Sequence, residues 1–259
     1  MRGRQRGFAL PAAIVALAVF ALVALVVVDE GRGRTALLAG RMVQARLAAA
    51  ADAGIALAIE GVARAGAARW PVDGRPHGAN FDGVTLQIAV EDERGRLPLN
   101  ALDGRLLRAL LGALGLQGER RETLARTIEA ARRRPFRAIG DMAVLPGMDG
   151  GLLTRLGPVL SFVPRADAGS VDARYAGPFV RALLDWAPVM ERVPDGFPVL
   201  LARHQQDGAT TWAADEVLAQ KIVRVTVTAG LGARDRLTRM AVVEFTGDAA
   251  RPFVVRDWQ

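Results

Sequence analysis

The pattern of apolar and polar residues begins with an uninterrupted apolar run, residues 8–28, which contains no charged side chain. As an α-helix this run is about 31 Å long, roughly the thickness of the hydrocarbon core of a bilayer. The alanine-rich residues 29–66 follow, with apolar positions at helical spacing and no proline. The pattern therefore predicts one long helix whose first part spans a membrane and whose outer, amphipathic part packs on a globular domain.

Beyond this helix, alternating apolar positions predict four β-strands, one early and three late. The predicted strands are residues 84–91, 222–229, 240–246 and 252–258, and residues 230–236 form a hairpin loop between the second and the third. Residues 71–82 are rich in proline, glycine and aspartate and are predicted to form a loop.

Between the first and second predicted strands the apolar spacing is helical. Asp103 is placed to cap a helix whose apolar face carries leucines. A second helix is predicted over residues 119–134, and a last one begins near Gly177-Pro178. Shorter helical pieces are predicted at residues 142–145 and 152–156.

This order of elements predicts an α+β fold, in which a long N-terminal helix packs on a small antiparallel sheet and a helical domain is inserted after the first strand. The predicted divisions are a leader at residues 1–7, a transmembrane helix at 8–28, the outer part of the helix at 29–66, an α+β domain at 67–98 and 196–259, and the inserted helical domain at 99–195.

Composition removes several classes of function. The sequence has no cysteine, which excludes disulfides, thiol catalysis and cysteine-ligated metals. The net charge of +7 includes three arginines of the leader, and Lys221 is the only lysine among 34 basic residues. The charge alone therefore does not indicate nucleic-acid binding.

The first seven residues resemble a short basic leader. Arg2, Arg4 and Arg6 favour a cytoplasmic N-terminus, and the small Gly7 directly precedes the apolar run. Pro11 would clash with the carbonyl group of Gly7 in a continuous helix, but not after cleavage between Gly7 and Phe8. Two alternatives remain open, namely an uncleaved anchor and a signal peptide cut near residue 28.

Three segments carry a resemblance to a known family. They are Arg6-Gly7-Phe8-Ala9-Leu10, residues 90–102 with the sequence VEDERGRLPLNAL, and residues 141–148 with the sequence DMAVLPGM. With the C-terminal strands, they are similar to minor pseudopilins of the K type from type II secretion systems, the general secretion pathway protein K family. The resemblance implies a pilin-like subunit, anchored by a single span in the bacterial inner membrane, with its bulk in the periplasm.

The same resemblance implies processing and partners. A prepilin peptidase would cut after Gly7 and the new amine of Phe8 would be methylated. The implied partners are minor pseudopilins of the I and J types, the inner-membrane assembly platform and secreted substrates, with neither nucleic acid nor a small-molecule substrate among them. Some family members bind calcium, but the sequence assigns no ligands and no other cofactor is implied.

Ala12 is the fifth residue after the predicted cleavage point. Most pilins carry a glutamate there, thought to pair with the N-terminal amine of a neighbouring subunit, and the K-type family lacks it. A carboxylate in hydrocarbon is costly unless it is paired. The absence of the acid fits a subunit at the filament tip, although Ala12 is equally explained as one more apolar membrane residue.

Few residues are candidates for chemistry, and no enzyme is predicted. His77 and His204 are placed in predicted loops without catalytic partners. The acidic residues 91–93 are interpreted as a solvated strand end rather than a metal site. Residues 145–150 resemble a DNA-binding hairpin, but Asp149 would repel phosphates, so a tight turn between helices is favoured.

Arginines are concentrated on the second predicted helix. One interpretation is a solvated helix supported by the pairs Glu122–Arg126 and Glu129–Arg133. The alternative is a docking face for an acidic partner. Its candidate residues are Arg120, Arg121, Arg132, Arg133 and Arg134.

The function predicted from these features is structural. The chain would cap the tip of a type II secretion pseudopilus and help to initiate its assembly, for the export of folded periplasmic proteins. An apolar stripe on the long helix would pack beside partner subunits. It consists of Leu37, Val43, Leu47 and Ile55. The alternatives are a minor pilin of a type IV pilus and a membrane-anchored nucleic-acid-binding protein.

Overall fold

The fold was analysed in a computed structural model that describes residues 9–164, 170–206, 211–213, 216–232 and 234–258. Between residues 9 and 37 it describes the backbone but few of the side chains. The predicted α+β fold is confirmed: a long N-terminal helix lies against an antiparallel sheet, and further helices form a separate part.

Helix α1 runs without interruption from Ala9 to Ala63. At 1.5 Å per residue, its 55 residues extend over roughly 80 Å. Residues of its C-terminal half, spaced three or four apart, are buried against the sheet. They are Leu47, Ala51, Ile55, Ala58 and Val62.

The segment Leu38–Ala63 is long and apolar enough to cross a membrane by length and composition. Its buried face packs on the sheet, however, so the segment belongs to the core of the globular part. The predicted membrane span lies N-terminal to it, at residues 8–28, where the backbone from Ala9 onward is helical and few side chains are described.

Seven strands are present in the described ranges. They are β1 (His77–Phe81), β2 (Val84–Asp92), β3 (Leu97–Pro98), β4 (Leu160–Ser161), β5 (Lys221–Leu231), β6 (Asp235–Phe245) and β7 (Phe253–Trp258). Five of them form an antiparallel sheet in the order β1-β2-β5-β6-β7, in which Asp92 pairs with Val223. The predicted strands are therefore confirmed, and β5 and β6 extend further into their hairpin than the sequence indicated.

Strand β1 was predicted to be loop, and this prediction is wrong. It pairs with β2 through a two-residue turn at Asp82-Gly83, where both residues have positive φ. This is the conformation that Asp-Gly favours in tight hairpins. The helices consequently follow the second strand rather than the first.

The helical block is defined here as residues 97–206, and its described residues form five α-helices. They are α2 (Gly104–Ala113), α3 (Gly118–Ala131), α4 (Gly150–Leu156), α5 (Pro178–Trp186) and α6 (Phe197–His204). Asp103 caps α2 by accepting a hydrogen bond from the Leu106 amide at 2.9 Å, as predicted. Helix α6 was not predicted, and its Phe197 is buried in the core of the block, which therefore continues beyond residue 195.

Candidate functional site

The most unusual side-chain arrangement lies where the chain leaves the sheet for the helical block. Asp92 and Glu93 are 1% and 0% exposed. The prediction of a solvated strand end is therefore wrong for these two acids. Buried carboxylates require charged or hydrogen-bonded partners, and both have them. We call Glu91, Asp92, Glu93, Arg94, Arg96, Trp212 and Arg224 the junction cluster.

Asp92 is the centre of the first half of this cluster. Arg94 donates from Nη2 to Asp92 Oδ2 at 2.6 Å and from Nε to both carboxylate oxygens at 3.1 Å. The Trp212 indole donates to Asp92 Oδ2 at 2.6 Å. The hydrogen bond to Asp92 raises the pKa of the Arg94 guanidinium, which remains protonated. Asp92 thereby connects strand β2 to the segment that returns from the helical block.

Glu93 forms the second half with a residue of strand β5. Arg224 donates to the two Glu93 oxygens at 2.8 and 3.1 Å, a bidentate pair between two buried side chains. Charge-assisted bidentate pairs are among the strongest and most directional contacts in proteins. The pair fixes the first turn beyond the sheet to the middle of the sheet.

Arg96 extends the cluster into the helical block. Its Nε donates to the Leu160 carbonyl at 3.1 Å and its Nη2 to the Gly157 carbonyl, while Nη1 donates to Glu91 at 3.0 Å. Burial, together with the nearby positive charge of Arg224, lowers the pKa of Arg96. One guanidinium therefore joins the end of strand β2 to the end of helix α4.

Gly95 has a steric role between these arginines. A Cβ atom at this position would lie 2.2 Å from the Tyr175 carbonyl oxygen, a backbone atom. The Asp172 amide donates to the Arg94 carbonyl at 2.9 Å, and the Arg94 guanidinium lies 4.5 Å from the centre of the Tyr175 ring. Residues 172–175 thus pack directly on the junction cluster, which requires glycine at this point.

The charged residues of helix α3 pair differently from the prediction. Arg108 on α2 donates to Glu122 at 2.8 Å and to Glu129 at 3.0 Å. The i,i+4 carboxylate pairs to Arg126 and Arg133 are therefore not formed. Contact with Arg108 lowers the pKa of Glu122. Glu122 and Glu129 therefore hold α3 against α2, because Arg108 of α2 lies between their carboxylates.

Three of the five arginines proposed as a docking face are used within the block. Arg120 pairs with Asp149 at 3.2 Å, and Arg121 with its neighbour Glu122 at 3.1 Å. Arg132 donates to the Leu102 carbonyl, and burial lowers its pKa.

Arg133 and Arg134 are exposed at the end of α3. The five arginines do not form one uniform surface: Arg133 and Arg134 are exposed, whereas Arg120 is exposed but paired with Asp149.

The turn at residues 145–150 joins two packed helical pieces. Gly147 has a φ of +85°, and Asp149 caps α4 by accepting from the Leu152 amide at 2.8 Å. The interpretation as a tight structural turn is therefore confirmed.

The histidines do not lie in loops, contrary to the prediction. His77 is in β1 and its ring stacks on Trp70 at 4.9 Å. His204 ends α6 and contacts Asp185 at 2.8 Å. In the described part of the chain, no group of three or more histidine, aspartate or glutamate side chains is placed to hold a metal ion.

The apolar stripe predicted for partner packing is mostly core. Leu47 and Ile55 are fully buried against the sheet, and Val43 packs beside them. The exposed apolar residues of this region lie one position away, at Leu38 and Met42, with 59% and 74% exposure.

Four further predicted residues carry no side-chain description. The predicted cleavage site at Gly7 and Phe8 lies outside the described residues, as does the side chain of Leu37. Ala12 lies in the helical backbone of α1, and its side chain is not described.

Comparison with known proteins shows that the fold of this chain is similar to that of a solved structure. No protein-family model matches the sequence, and no curated protein matches it. A chain in the crystal structure of the GspK-GspI-GspJ complex from the type 2 secretion system of enterotoxigenic Escherichia coli matches with a TM-score of 0.56 and 16% identity. The match covers 83% of the present chain and 96% of that chain. At this identity, the two chains share an architecture over nearly the whole length of the solved one.

Proposed function

We propose that this chain is a minor pseudopilin of the K type in a type II secretion system, with a structural rather than an enzymatic role. The observation that supports the proposal most strongly is the shared fold, which covers 96% of a chain from a complex of such subunits. The basic leader, the apolar run and the continuous helix α1 are consistent with the same assignment.

The proposal includes the location of the chain. Residues 8–28 span the bacterial inner membrane once, and the sheet and the helical block lie in the periplasm. A prepilin peptidase cleaves between Gly7 and Phe8, and Phe8 is then methylated. The three leader arginines support this orientation because positive charge is retained on the cytoplasmic side.

The proposed position is the tip of the pseudopilus, where the chain also helps to initiate assembly for the export of folded periplasmic proteins. Two features support it. The helical block adds five helices beside the sheet and would obstruct a subunit stacked above it. Ala12 provides no carboxylate for the amine of a following subunit, and an unpaired carboxylate at this depth would be costly.

Partner contacts are proposed on two surfaces. Leu38 and Met42 are exposed on the part of α1 between the predicted span and the sheet, and are proposed to pack against helices of I-type and J-type pseudopilins. Arg133 and Arg134 are proposed to contact acidic partners, including secreted substrates. The assembly platform of the inner membrane is the remaining proposed partner.

A minor pilin of a type IV pilus is the second candidate, because it would share the leader and the long helix. It would not need the helical block. The match to the solved structure extends over 83% of the chain, more than the long helix and the sheet alone account for, and this favours the secretion assignment.

Copurification tests the assignment. The detergent-extracted chain is expected to copurify with I-type and J-type pseudopilins when the three are coexpressed. Replacing both exposed apolar residues, Leu38→Ser with Met42→Ser, is expected to reduce the yield of the complex at least tenfold because apolar contact is lost. The control is Val144→Ser, which changes an apolar residue of the helical block that is 84% exposed. A chain that stays monomeric with these partners would contradict the proposal.

Antibody labelling tests the tip position separately. With an antibody against the helical block, isolated pseudopili are expected to carry label at one end only, because the block obstructs further stacking. An antibody against the major subunit serves as the control and labels the whole length. Label from the block antibody along entire filaments would refute the cap while leaving the pseudopilin assignment intact.

A further inference from the structure

Buried hydrophobic side chains of the described residues form two separate clusters. One lies inside the helical block and the other lies between helix α1 and the sheet. An open groove of about 780 Å³ separates the two parts on the outer face of the sheet. It is lined by Thr226 and Met240 from the sheet and by Ile139 and Phe162 from the block. The two parts therefore have separate apolar cores, and the Tyr175 side chain of the block packs against the core of the sheet.

The chain crosses between the two parts twice, and both crossings meet at the junction cluster. The first follows strand β2, where Glu93 binds Arg224. The second follows helix α6 and contains Trp212, which is 4% exposed and donates to Asp92. Charged hydrogen bonds are therefore present at both crossings, in keeping with the polar character of interfaces between the parts of one chain.

We propose that the junction cluster is a positioning device that fixes the orientation of the helical block on the sheet. Bidentate and charge-assisted hydrogen bonds accept a narrow range of geometry, whereas apolar contacts tolerate sliding. Three directions are fixed: toward β5 through Arg224, toward the end of α4 through Arg96, and toward the returning segment through Trp212. Removing these contacts frees the block to tilt into the adjacent groove.

This inference does not depend on the pseudopilin assignment, because it rests on contacts within one chain. If the assignment also holds, the cluster sets the angle at which the helical block projects from the filament tip. If the positioning role is refuted, the pseudopilin assignment is unaffected, and the reverse is also true.

Distance measurement between two spin labels tests the inference. The native chain has no cysteine, so labels are introduced cleanly with Gln87→Cys on the sheet and Val144→Cys on the block, both at exposed positions. In the full chain in detergent micelles, the distance distribution is expected to be narrow. In the double variant Glu93→Ala with Arg224→Ala, which removes both charges together, its width is expected to increase at least twofold.

A second variant and a control complete the test. Trp212→Phe keeps a buried ring but removes the hydrogen bond to Asp92, and is expected to widen the distribution to a smaller extent. The control Glu60→Ala with Arg64→Ala removes an exposed ion pair at the C-terminal end of α1 and is expected to leave the width of the distance distribution unchanged. Circular dichroism establishes that each variant is folded.

An unchanged distribution in folded double and Trp212→Phe variants would overturn the inference. If the double variant does not fold, the Trp212→Phe variant decides by the same criterion: widening supports the positioning role and an unchanged width refutes it.

Discussion

Replacing Arg224 with alanine is expected to lower the free energy of unfolding by about 3–5 kcal/mol. The substitution removes both hydrogen bonds that Arg224 donates to Glu93, whose carboxylate is 0% exposed. A buried carboxylate that loses this bidentate charged partner retains most of the cost of its desolvation. Denaturant unfolding of the detergent-solubilised chain, followed by tryptophan fluorescence, measures the change.

The matched control is Arg120→Ala, which removes an ion pair of the same type at the surface. The pair of Arg120 with Asp149 is more than half exposed on both sides, and such pairs contribute about 0–1 kcal/mol. The comparison therefore separates the effect of burying an ion pair on the free energy of unfolding from the effect of removing an arginine charge. Equal, small losses in the two variants would contradict the role assigned to the Glu93–Arg224 pair.

Replacing Gly7 with valine is expected to abolish leader removal, the largest effect expected on function. A prepilin-type cleavage site accepts a small residue at this position, and the β-branched side chain of valine also stiffens the backbone. Intact mass of the membrane-extracted protein is expected to show the leader retained and no methyl group on Phe8. Export of folded proteins is then expected to fall to the level of a strain lacking the chain.

The control for this experiment is Gly3→Val, which changes a leader glycine four residues from the cleavage site. It is expected to leave processing unchanged. A mature chain that begins near residue 29 in the native protein would contradict the prepilin interpretation, because it would indicate an ordinary signal peptide.

Local signals in the sequence predicted much of the architecture. Asp103 indicated the start of α2 because a side-chain oxygen at this position satisfies a free helix amide. The alternation in β2 and β5 indicated strands with one face on the core. These features depend on near neighbours in the sequence, which is why they were predictable.

The features that were missed depend on distant contacts. The acidic residues 91–93 are polar in sequence, and nothing near them indicates that Arg224 and Trp212 will surround them. The same limit applies to the arginines of α3, since the partner of Glu122 is Arg108 on another helix. Strand β1 was missed for a different reason. Its Asp-Gly turn is a local hairpin signal, but the strand lies at the edge of the sheet and shows little alternation of apolar and polar residues.

The pairing of Asp92 with Val223 also constrains the order in which the chain folds. About 130 residues separate these neighbours in the sheet. Closing so long a loop in an unfolded chain costs entropy that grows as (3/2)RT ln n. If the helical block folds first and brings its own ends together, the effective loop shrinks to about 20 residues and the cost falls by roughly 1.7 kcal/mol. The favoured folding route therefore begins with nucleation within the block. Strands β5, β6 and β7 then pair with the β1–β2 hairpin that has already formed.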